Sequence, residues 1–219
     1  MKTRTGRALL TAAAVVVIAI VAVVLLITRG EAGTTDAAVA EVGPAQLVRD
    51  NSHRLNDPPG ASVTFVEFLD FECEGCRSAY PLVEQLRDEY GDRVEFVLRY
   101  FPLSGHFNAE RAARAVEAAA QQGRLEAMYH RMYETQADWG EASTPADDVF
   151  RGFASQLGLD MTAYDEAYDD PATLERIRLD QQDGRELGVQ GTPTFFVDGA
   201  QVVVRSPDDL RNAIEAALE

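Results

Sequence analysis

The two cysteines of this 219-residue chain stand at the ends of one short motif, Cys73-Glu74-Gly75-Cys76. The motif follows a mostly apolar run, Val63 to Phe71, which predicts a buried strand. A helix is predicted from Cys76 to Tyr90, with Gly91 ending it. Two cysteines separated by two residues, at the point where a strand passes into a helix, are typical of a redox-active dithiol.

Two other uses of the cysteine pair stay open at this point. A structural disulfide would close so small a loop that it contributes only about 2 kcal/mol in the chain-entropy model. A structural zinc site takes four Cys or His ligands. The chain has no second cysteine pair, and its three histidines show no spacing typical of ligands: they are His53, His106 and His130. The redox interpretation is therefore favoured, and no metal is predicted.

A run without charges near the N-terminus, residues 9–27, predicts a membrane-spanning helix. At about 1.5 Å per residue it nearly matches the roughly 30 Å hydrocarbon core of a bilayer. Lys2, Arg4 and Arg7 precede the run without any acid. The positive-inside rule therefore predicts a cytoplasmic basic tail at 1–7, a transmembrane helix or signal anchor at 8–28, and an extracytoplasmic remainder. The alternative is a signal peptide cleaved near residues 38–40, which would release a secreted protein.

The charge and the cysteine content of the exported part restrict the functions that it can have. All of the acidic residues follow residue 30, and the formal net charge of the chain is −16. Such a domain repels phosphates, so a nucleic-acid partner is not expected. Exported proteins often use additional cysteines as structural disulfides, but this chain has none to spare. Because a domain of this size can bury enough apolar surface without them, the pair is expected to serve chemistry.

The exported part divides into four stretches. Residues 29–60 contain scattered Gly and Pro without periodicity and predict a flexible tether. Residues 61–104 predict the first strand, the helix and a second strand at Val94–Phe101, which together favour a parallel pair. Residues 105–186 carry the apolar stripes of four helices. Residues 187–219 predict a hairpin turning at Asp198-Gly199 and a last helix at Leu210–Leu218, which the run Pro207-Asp208-Asp209 opens.

Several segments together resemble a known family. The run VTFVEFLDFECEGC, the helix proline Pro81 and the run VQGTPTFFVDG resemble the thioredoxin fold. The helical block between the two halves resembles the DsbA-like thiol-disulfide oxidoreductases, in particular their membrane-anchored bacterial members. The resemblance implies an α/β thioredoxin fold, with halves at 61–104 and 187–219 and a helical insertion at 105–186. The transmembrane helix predicted from the uncharged run precedes this fold.

The resemblance and the local chemistry assign roles to five residues. Cys73, at the helix N-terminus, is the expected nucleophile because free N–H groups and the helix dipole favour its thiolate. Cys76, one turn further, is the resolving, buried partner. Thr192 and Pro193 match the cis-proline loop that binds extended substrates in the family. Glu67 matches the place where the family keeps a buried acid, so it is a candidate proton relay, against the alternative of a solvated strand residue.

The residues around Cys73 depart from the better-known family members. Glu74-Gly75 replaces the usual proline-containing or histidine-containing pair, and Glu72 adds a second carboxylate. The negative charges of both acids destabilise the Cys73 thiolate, whereas the positive charge of Arg77 partly compensates for them. We therefore predict a Cys73 that is less acidic, and a disulfide that is less oxidising, than in strongly oxidising DsbA proteins.

These observations predict a membrane-tethered, extracytoplasmic protein-disulfide oxidoreductase that introduces disulfides into reduced exported proteins. The resemblance implies reoxidation by a quinone-linked membrane partner, and no cofactor is expected. One alternative is the same fold operating as a disulfide reductase or isomerase. An alternative of another class is a non-catalytic binding or chaperone-like module on the thioredoxin fold, which the intact Cys73, Cys76 and Pro193 argue against.

Overall fold

The computed structural model describes residues 45–219, which are built around one mixed sheet. Its strands lie in the order β1-β3-β2-β4-β5. Strands β2 and β3 are parallel, and every other neighbouring pair is antiparallel. The bounds are β1 (His53–Arg54), β2 (Val63–Leu69), β3 (Val94–Tyr100), β4 (Thr194–Val197) and β5 (Ala200–Val202). The predicted parallel pair is therefore confirmed.

Helices occupy the connections and the chain end. Helix α1 (Glu74–Tyr90) joins β2 to β3. Between β3 and β4 lie α2 (Ala109–Ala120), α3 (Leu125–Trp139), α4 (Asp147–Gln156), α5 (Met161–Asp169) and α6 (Pro171–Glu186), and α7 (Pro207–Leu218) follows β5. The helical insertion is confirmed, but its described part contains five helices instead of four. Helix α5 was missed because it is only nine residues long and buries a single side chain, Tyr164.

Strand β2 is buried on both faces, which makes it the centre of the sheet. Val63 and Phe65 pack with residues of α1 and α7, whereas Val66 and Phe68 belong to a separate core on the opposite face. Side chains alternate between the faces of a strand, so Glu67 shares the side of Phe65. The acid is thus directed into the layer that contains α1.

The hairpin and the last helix follow the predictions closely. Asp198 and Gly199 connect β4 to β5 with φ values of 46° and 83°. Positive φ at both central residues is the requirement of the predicted type I′ turn. Helix α7 begins at Pro207, within the run that was predicted to open it, and a capping box between Ser206 and Asp209 stabilises its start.

The predicted tether, residues 29–60, is wrong for the part that the structure describes. Strand β1 pairs with β3, where His53 lies opposite Leu98. Arg49 also forms an ion pair with Asp183 at 2.5 Å. These partners are distant in sequence, so local composition did not indicate them. The proposed tail at 1–7, the span at 8–28 and the first part of the tether lie outside the described residues. Within residues 45–219, no helix has the length and apolar character needed to cross a membrane.

A buried arginine joins this N-terminal segment to the sheet and to α6. Arg99 on β3 is fully buried. Its guanidinium donates to Asp180 at 2.7 Å and to Asp183 at 2.5 Å. It also donates to the carbonyl oxygens of Gln46 and Leu47. The charge is therefore compensated on several sides, as a buried ion requires.

We expect Arg99→Met to lower the free energy of unfolding by about 3 kcal/mol, because it leaves two carboxylates buried with fewer partners. Urea unfolding measures the change. Arg151→Met is the matched control: Arg151 pairs with Asp165 at the surface, so its loss should have little measurable effect. Equal stability of the two variants would contradict the importance of the buried network.

Candidate active site

Cys73 directly precedes the first residue of α1. It occupies the N-cap position with extended backbone angles, and its carbonyl oxygen accepts from the Arg77 N–H at 3.1 Å. Both thiols of the motif are free. Cys73 is 7% exposed and Cys76 is completely buried. Of the two cysteines, only Cys73 retains any exposure, and its role as the nucleophile stays a prediction.

The surroundings of Cys73 favour its thiolate. The hydrogen bond with the Cys76 side chain lowers the pKa of Cys73 to about 5 against the opposing effect of burial. The Thr192 side chain and the N–H groups of Gly75 and Cys76 add to the lowering. In the neutral form, the Cys73 thiol donates to the Thr192 carbonyl oxygen at 3.3 Å. Cys73 is therefore largely ionised at neutral pH.

Cys76 has the opposite electrostatic environment. Burial raises its pKa well above the ordinary thiol value, and its hydrogen bond to Cys73 and the negative charges of Glu67 and Cys73 raise it further. The only opposing contact of note is the Asp70 N–H, 3.5 Å from the Cys76 sulfur. Cys76 therefore holds its proton when Cys73 has lost its own.

Glu67 is a buried acid behind the two cysteines. It is 4% exposed on β2. Burial raises its pKa to about 8, with further contributions from the negative charges of Glu84 and Cys73. The burial agrees with the expectation from the sequence and disagrees with the solvated alternative. Glu67 thus carries a proton at neutral pH, and its role as a relay stays a prediction.

The predicted loop at Thr192 and Pro193 lies directly against the motif. The peptide bond between them is cis. A side chain added at Gly75 would stand 3.2 Å from the Pro193 ring and 3.4 Å from the Cys73 sulfur. The absence of a side chain at Gly75 therefore allows this close approach. An open groove extends from the loop, and Gln190, Gly191, Thr192, Pro193 and Gln201 line part of it.

The three predicted tuning side chains lie in different environments. Glu72 is 1% exposed, and its carboxylate accepts from the Asn108 N–H at 2.5 Å. Glu74 and Arg77 are exposed on the first turn of α1. Glu72 therefore connects the motif to the helical insertion, whereas the other two face solvent. Their effect on the acidity of Cys73 stays a prediction.

Sequence reasoning missed an acid–histidine pair beside the motif. Asp70 is 2% exposed, and its carboxylate accepts from the N–H groups of Glu72 and Leu103. It also lies 2.6 Å from His106 Nδ1. Burial lowers the pKa of His106, but Asp70 outweighs it and leaves that pKa raised. The signal available in the sequence is topological, since both residues follow neighbouring parallel strands, whose carboxyl ends meet at one edge of a sheet.

A second missed contact comes from α3. The Gln136 side chain donates to the carbonyl oxygens of Phe71 at 2.7 Å and Cys73 at 3.0 Å. Gln136 is itself buried, at 2% exposed. The insertion therefore fixes the backbone that enters α1.

Three side chains near the motif could approach a common cation. The ligand atoms of Glu74, His106 and Glu141 lie within 4.8 Å of one another, the one such group among residues 45–219. Two of the three are exposed carboxylates, which commonly cluster without a metal. We assign no metal to them.

Comparisons with known proteins agree with this geometry. Residues 58–216 match the family model described as thioredoxin. A thioredoxin-like oxidoreductase from Silicibacter pomeroyi is 30% identical, with a TM-score of 0.65 over 78% of this chain and 94% of that one. Alpha-DsbA1 from Wolbachia pipientis, at 17% identity, shares the fold with a TM-score of 0.65 over 78% of this chain and 92% of its own.

The curated relatives carry a different name. The Na(+)/H(+) antiporter NhaA of Herminiimonas arsenicoxydans is 34% identical over 169 residues, which are 75% of this chain and 25% of the antiporter. The chain thus spans about a quarter of the length of the curated relatives it matches. Their name describes the whole relative, and no antiporter activity is assigned to this chain.

We expect the Cys73 thiolate of the reduced protein to form with a midpoint near pH 5, and Cys76→Ala to raise that midpoint because it removes the side-chain hydrogen bond. Ultraviolet absorbance of the thiolate during a pH titration measures both. Cys76→Ser is the matched control because its hydroxyl can still donate. Identical midpoints in the two variants would show that the hydrogen bond does not control the acidity.

The same titration tests the effect of Glu74. Glu74→Gln should lower the Cys73 pKa slightly, because it removes one exposed negative charge near the thiolate. In the unaltered protein, a pKa below about 4 would contradict the prediction that Cys73 is less acidic than in the most oxidising DsbA proteins.

Proposed function

Because the chain belongs to the thioredoxin family and shares its fold with DsbA-like thiol-disulfide oxidoreductases, we propose that it introduces disulfides into reduced exported proteins. The observation that carries the proposal is the opposite electrostatic environment of the two cysteines. Cys73 is partly accessible and acidic, whereas Cys76 is buried and holds its proton. This asymmetry allows exchange at Cys73 alone.

The reaction proceeds in two exchanges. A substrate thiolate attacks the Cys73 sulfur of the enzyme disulfide, which forms a mixed disulfide and releases Cys76 as a thiolate. Cys76 takes up a proton. A second substrate thiolate then attacks the substrate sulfur of the mixed disulfide and releases Cys73. The substrate loses two electrons and two protons, the enzyme disulfide gains the electrons, and one proton goes to solvent because Cys73 leaves as a thiolate.

The acidity of Cys73 supports the oxidising direction. A stabilised thiolate favours the reduced enzyme, so the enzyme disulfide tends to accept electrons from its substrate. The Cys73 pKa of about 5 lies below that of thioredoxin, about 7, and above that of DsbA, about 3.5. We therefore expect the Cys73–Cys76 disulfide to be a stronger oxidant than that of thioredoxin and a weaker one than that of DsbA.

Substrate binding is proposed at the loop of Thr192 and Pro193. The Thr192 carbonyl oxygen lies 3.3 Å from the Cys73 sulfur, so an extended segment pairing with this backbone would bring its own cysteine to the nucleophile. The open groove beside the loop leaves room for such a segment. Main-chain pairing depends little on side-chain identity, which suits an enzyme that acts on many substrates.

Location and redox partner complete the proposal. The uncharged run at residues 9–27 and the basic residues before it support a single-pass anchor with an extracytoplasmic catalytic domain. Each cycle leaves two electrons on the Cys73–Cys76 dithiol, and their removal needs an acceptor. A quinone-linked membrane protein is the proposed acceptor.

The oxidised protein should form disulfides in a reduced, unfolded substrate, and Cys73→Ser should abolish this activity because it removes the attacked sulfur. Cys76→Ser is the matched variant. It cannot form the Cys73–Cys76 disulfide, so it should also fail to oxidise the reduced substrate, but its Cys73 thiolate should attack a substrate that already contains a disulfide, release one substrate thiolate and remain as the mixed disulfide. Thiol trapping in cells tests the direction of the reaction. A Cys73–Cys76 pair that is mostly in the disulfide form supports the oxidase. A mostly reduced pair would favour the reductase or isomerase, and full function of Cys73→Ser would favour the binding module.

The depressed Cys73 pKa also predicts how stability depends on pH. It stabilises the folded, reduced protein above the ordinary thiol pKa, and that stabilisation is lost as the pH falls through about 5. The oxidised protein lacks this group. We therefore expect the Tm of the reduced form, relative to the oxidised form, to fall as the pH is lowered from about 8 to about 4. A constant Tm difference in calorimetry would contradict the thiolate assignment.

A further inference from the structure

The packing of α1 against α3 places a row of polar side chains between Cys76 and the surface. Residues three or four apart share one face of a helix, so Cys76, Tyr80 and Glu84 follow one stripe of α1. Tyr129, His130 and Tyr133 follow a stripe of α3 by the same spacing. We call these five side chains beyond Cys76 the α1–α3 seam: Tyr80, Glu84, Tyr129, His130 and Tyr133.

The inner end of the seam faces the buried redox groups. Tyr133 is 2% exposed, and the negative charges of Cys76 and Glu67 both act on its hydroxyl. Tyr129 is fully buried and is influenced by Glu67 and Glu84. The two tyrosine rings lie 5.3 Å apart, measured between centroids. Both hydroxyls are therefore within electrostatic range of the buried acid.

The outer end of the seam reaches solvent. His130 Nδ1 lies 2.7 Å from the Tyr80 hydroxyl, and His130 Nε2 lies 3.9 Å from Glu84. Arg87 pairs with Glu84 at 3.1 Å, and Glu126 lies 3.6 Å from His130 on the outside. The His130 and Glu84 side chains are 29% and 20% exposed, so solvent reaches both.

Among residues 45–219, three polar atoms inside the seam find no hydrogen-bond partner. They are the hydroxyls of Tyr129 and Tyr133 and the Oε1 atom of Glu84, all buried. The Tyr129 hydroxyl is nevertheless close enough to Glu84 to favour its carboxylate. Unpaired buried polar groups cost free energy, and ordered water is their usual partner in folded proteins. Polar atoms in a row, with capacity for further hydrogen bonds, are what proton transfer needs.

The proposed disulfide exchange requires proton transfer to the buried Cys76. Each oxidation releases Cys76 as a thiolate that must gain one proton, and Cys76 is fully buried. Glu67 can give that proton, but it is only 4% exposed and must then regain one from water. On the sheet, its neighbours are the apolar Leu98 and Phe195. The titratable groups that act on Glu67 come instead from the motif and from the seam.

We propose that the α1–α3 seam conducts protons between solvent and the buried Glu67–Cys76 pair, with His130 as the entry group and Glu84 and Tyr129 as the relay. The inference rests on the proposed exchange at Cys73 and Cys76, with Glu67 as the nearer proton carrier. When Cys76 leaves as a thiolate, it takes the Glu67 proton. Glu67 then regains a proton through Tyr129 and Glu84, and water supplies it at His130. Reoxidation of the dithiol moves the proton back along the same groups.

The test measures repeated turnover, across pH and in H2O and D2O: the protein oxidises a reduced cysteine peptide, and excess oxidised glutathione reoxidises the protein between rounds. Repeated turnover is needed because Glu67 begins the first round with its own proton, so the seam is required only from the second round on. Glu84→Gln should slow turnover at neutral pH by about tenfold, change the pH profile and enlarge the solvent isotope effect, because it removes a relay group. Glu89→Gln is the matched control. Glu89 lies on the same helix and also pairs with an arginine, Arg211, but stands outside the seam. It should behave like the unaltered protein.

Two further variants keep the test decisive if Glu84→Gln folds poorly. Tyr129→Phe removes a single hydroxyl and should reproduce the enlarged isotope effect. His130→Ala should slow turnover, and added imidazole should restore it, which a purely structural role of His130 would not allow. Unchanged rates, pH profiles and isotope effects in Glu84→Gln and Tyr129→Phe would overturn the seam. Failure of the unaltered protein to oxidise the peptide, or activity in Cys73→Ser, would instead overturn the proposed function.

Discussion

The chemistry of this protein depends on the burial of Cys76 directly behind Cys73. Burial keeps the Cys76 proton in place, and that retained proton is what the Cys76 thiol offers to the Cys73 thiolate as a hydrogen bond. Burial of Cys76 therefore separates the pKa values of the two cysteines. It raises the pKa of Cys76, and it keeps on Cys76 the proton whose hydrogen bond lowers the pKa of Cys73. An exposed Cys76 would share its hydrogen bond with water, and much of the difference between the two sulfurs would disappear.

The helical insertion maintains this arrangement from outside the thioredoxin fold. Gln136 on α3 holds the carbonyl oxygens of Phe71 and Cys73, and Glu72 reaches the N–H of Asn108 before α2. Both contacts act on the backbone that enters α1, where a small displacement would change the position of the nucleophile. The insertion therefore acts on the motif from two directions, and its α3 helix also forms one wall of the seam behind Cys76.

The parts of the fold that the sequence predicts are those with local signals. Strand β2, helix α1 and the Asp198-Gly199 hairpin each follow from a run of residues or from turn chemistry, and the Thr192–Pro193 loop follows from family resemblance. The features that were missed depend on partners far apart in the sequence. Strand β1 is two residues long and exists because β3 offers an edge, and the Asp70–His106 pair exists because two strand ends meet. Periodicity contains no information on either.

The two acids beside Cys73 occupy environments that sequence proximity does not reveal. Each adjoins Cys73 in the chain, and from the sequence both oppose its thiolate. In the structure, Glu72 is buried against the Asn108 N–H. Burial raises its pKa, and the hydrogen bond from Asn108 acts in the opposite direction. Glu74 is exposed, where water and salt screen its charge. His106, which the sequence did not indicate, brings a raised pKa and an attraction to the Cys73 charge. The hydrogen bonds that lower the pKa of Cys73 come from Cys76, Thr192 and Gly75, and the effects of Glu72 and Glu74 on it stay predictions.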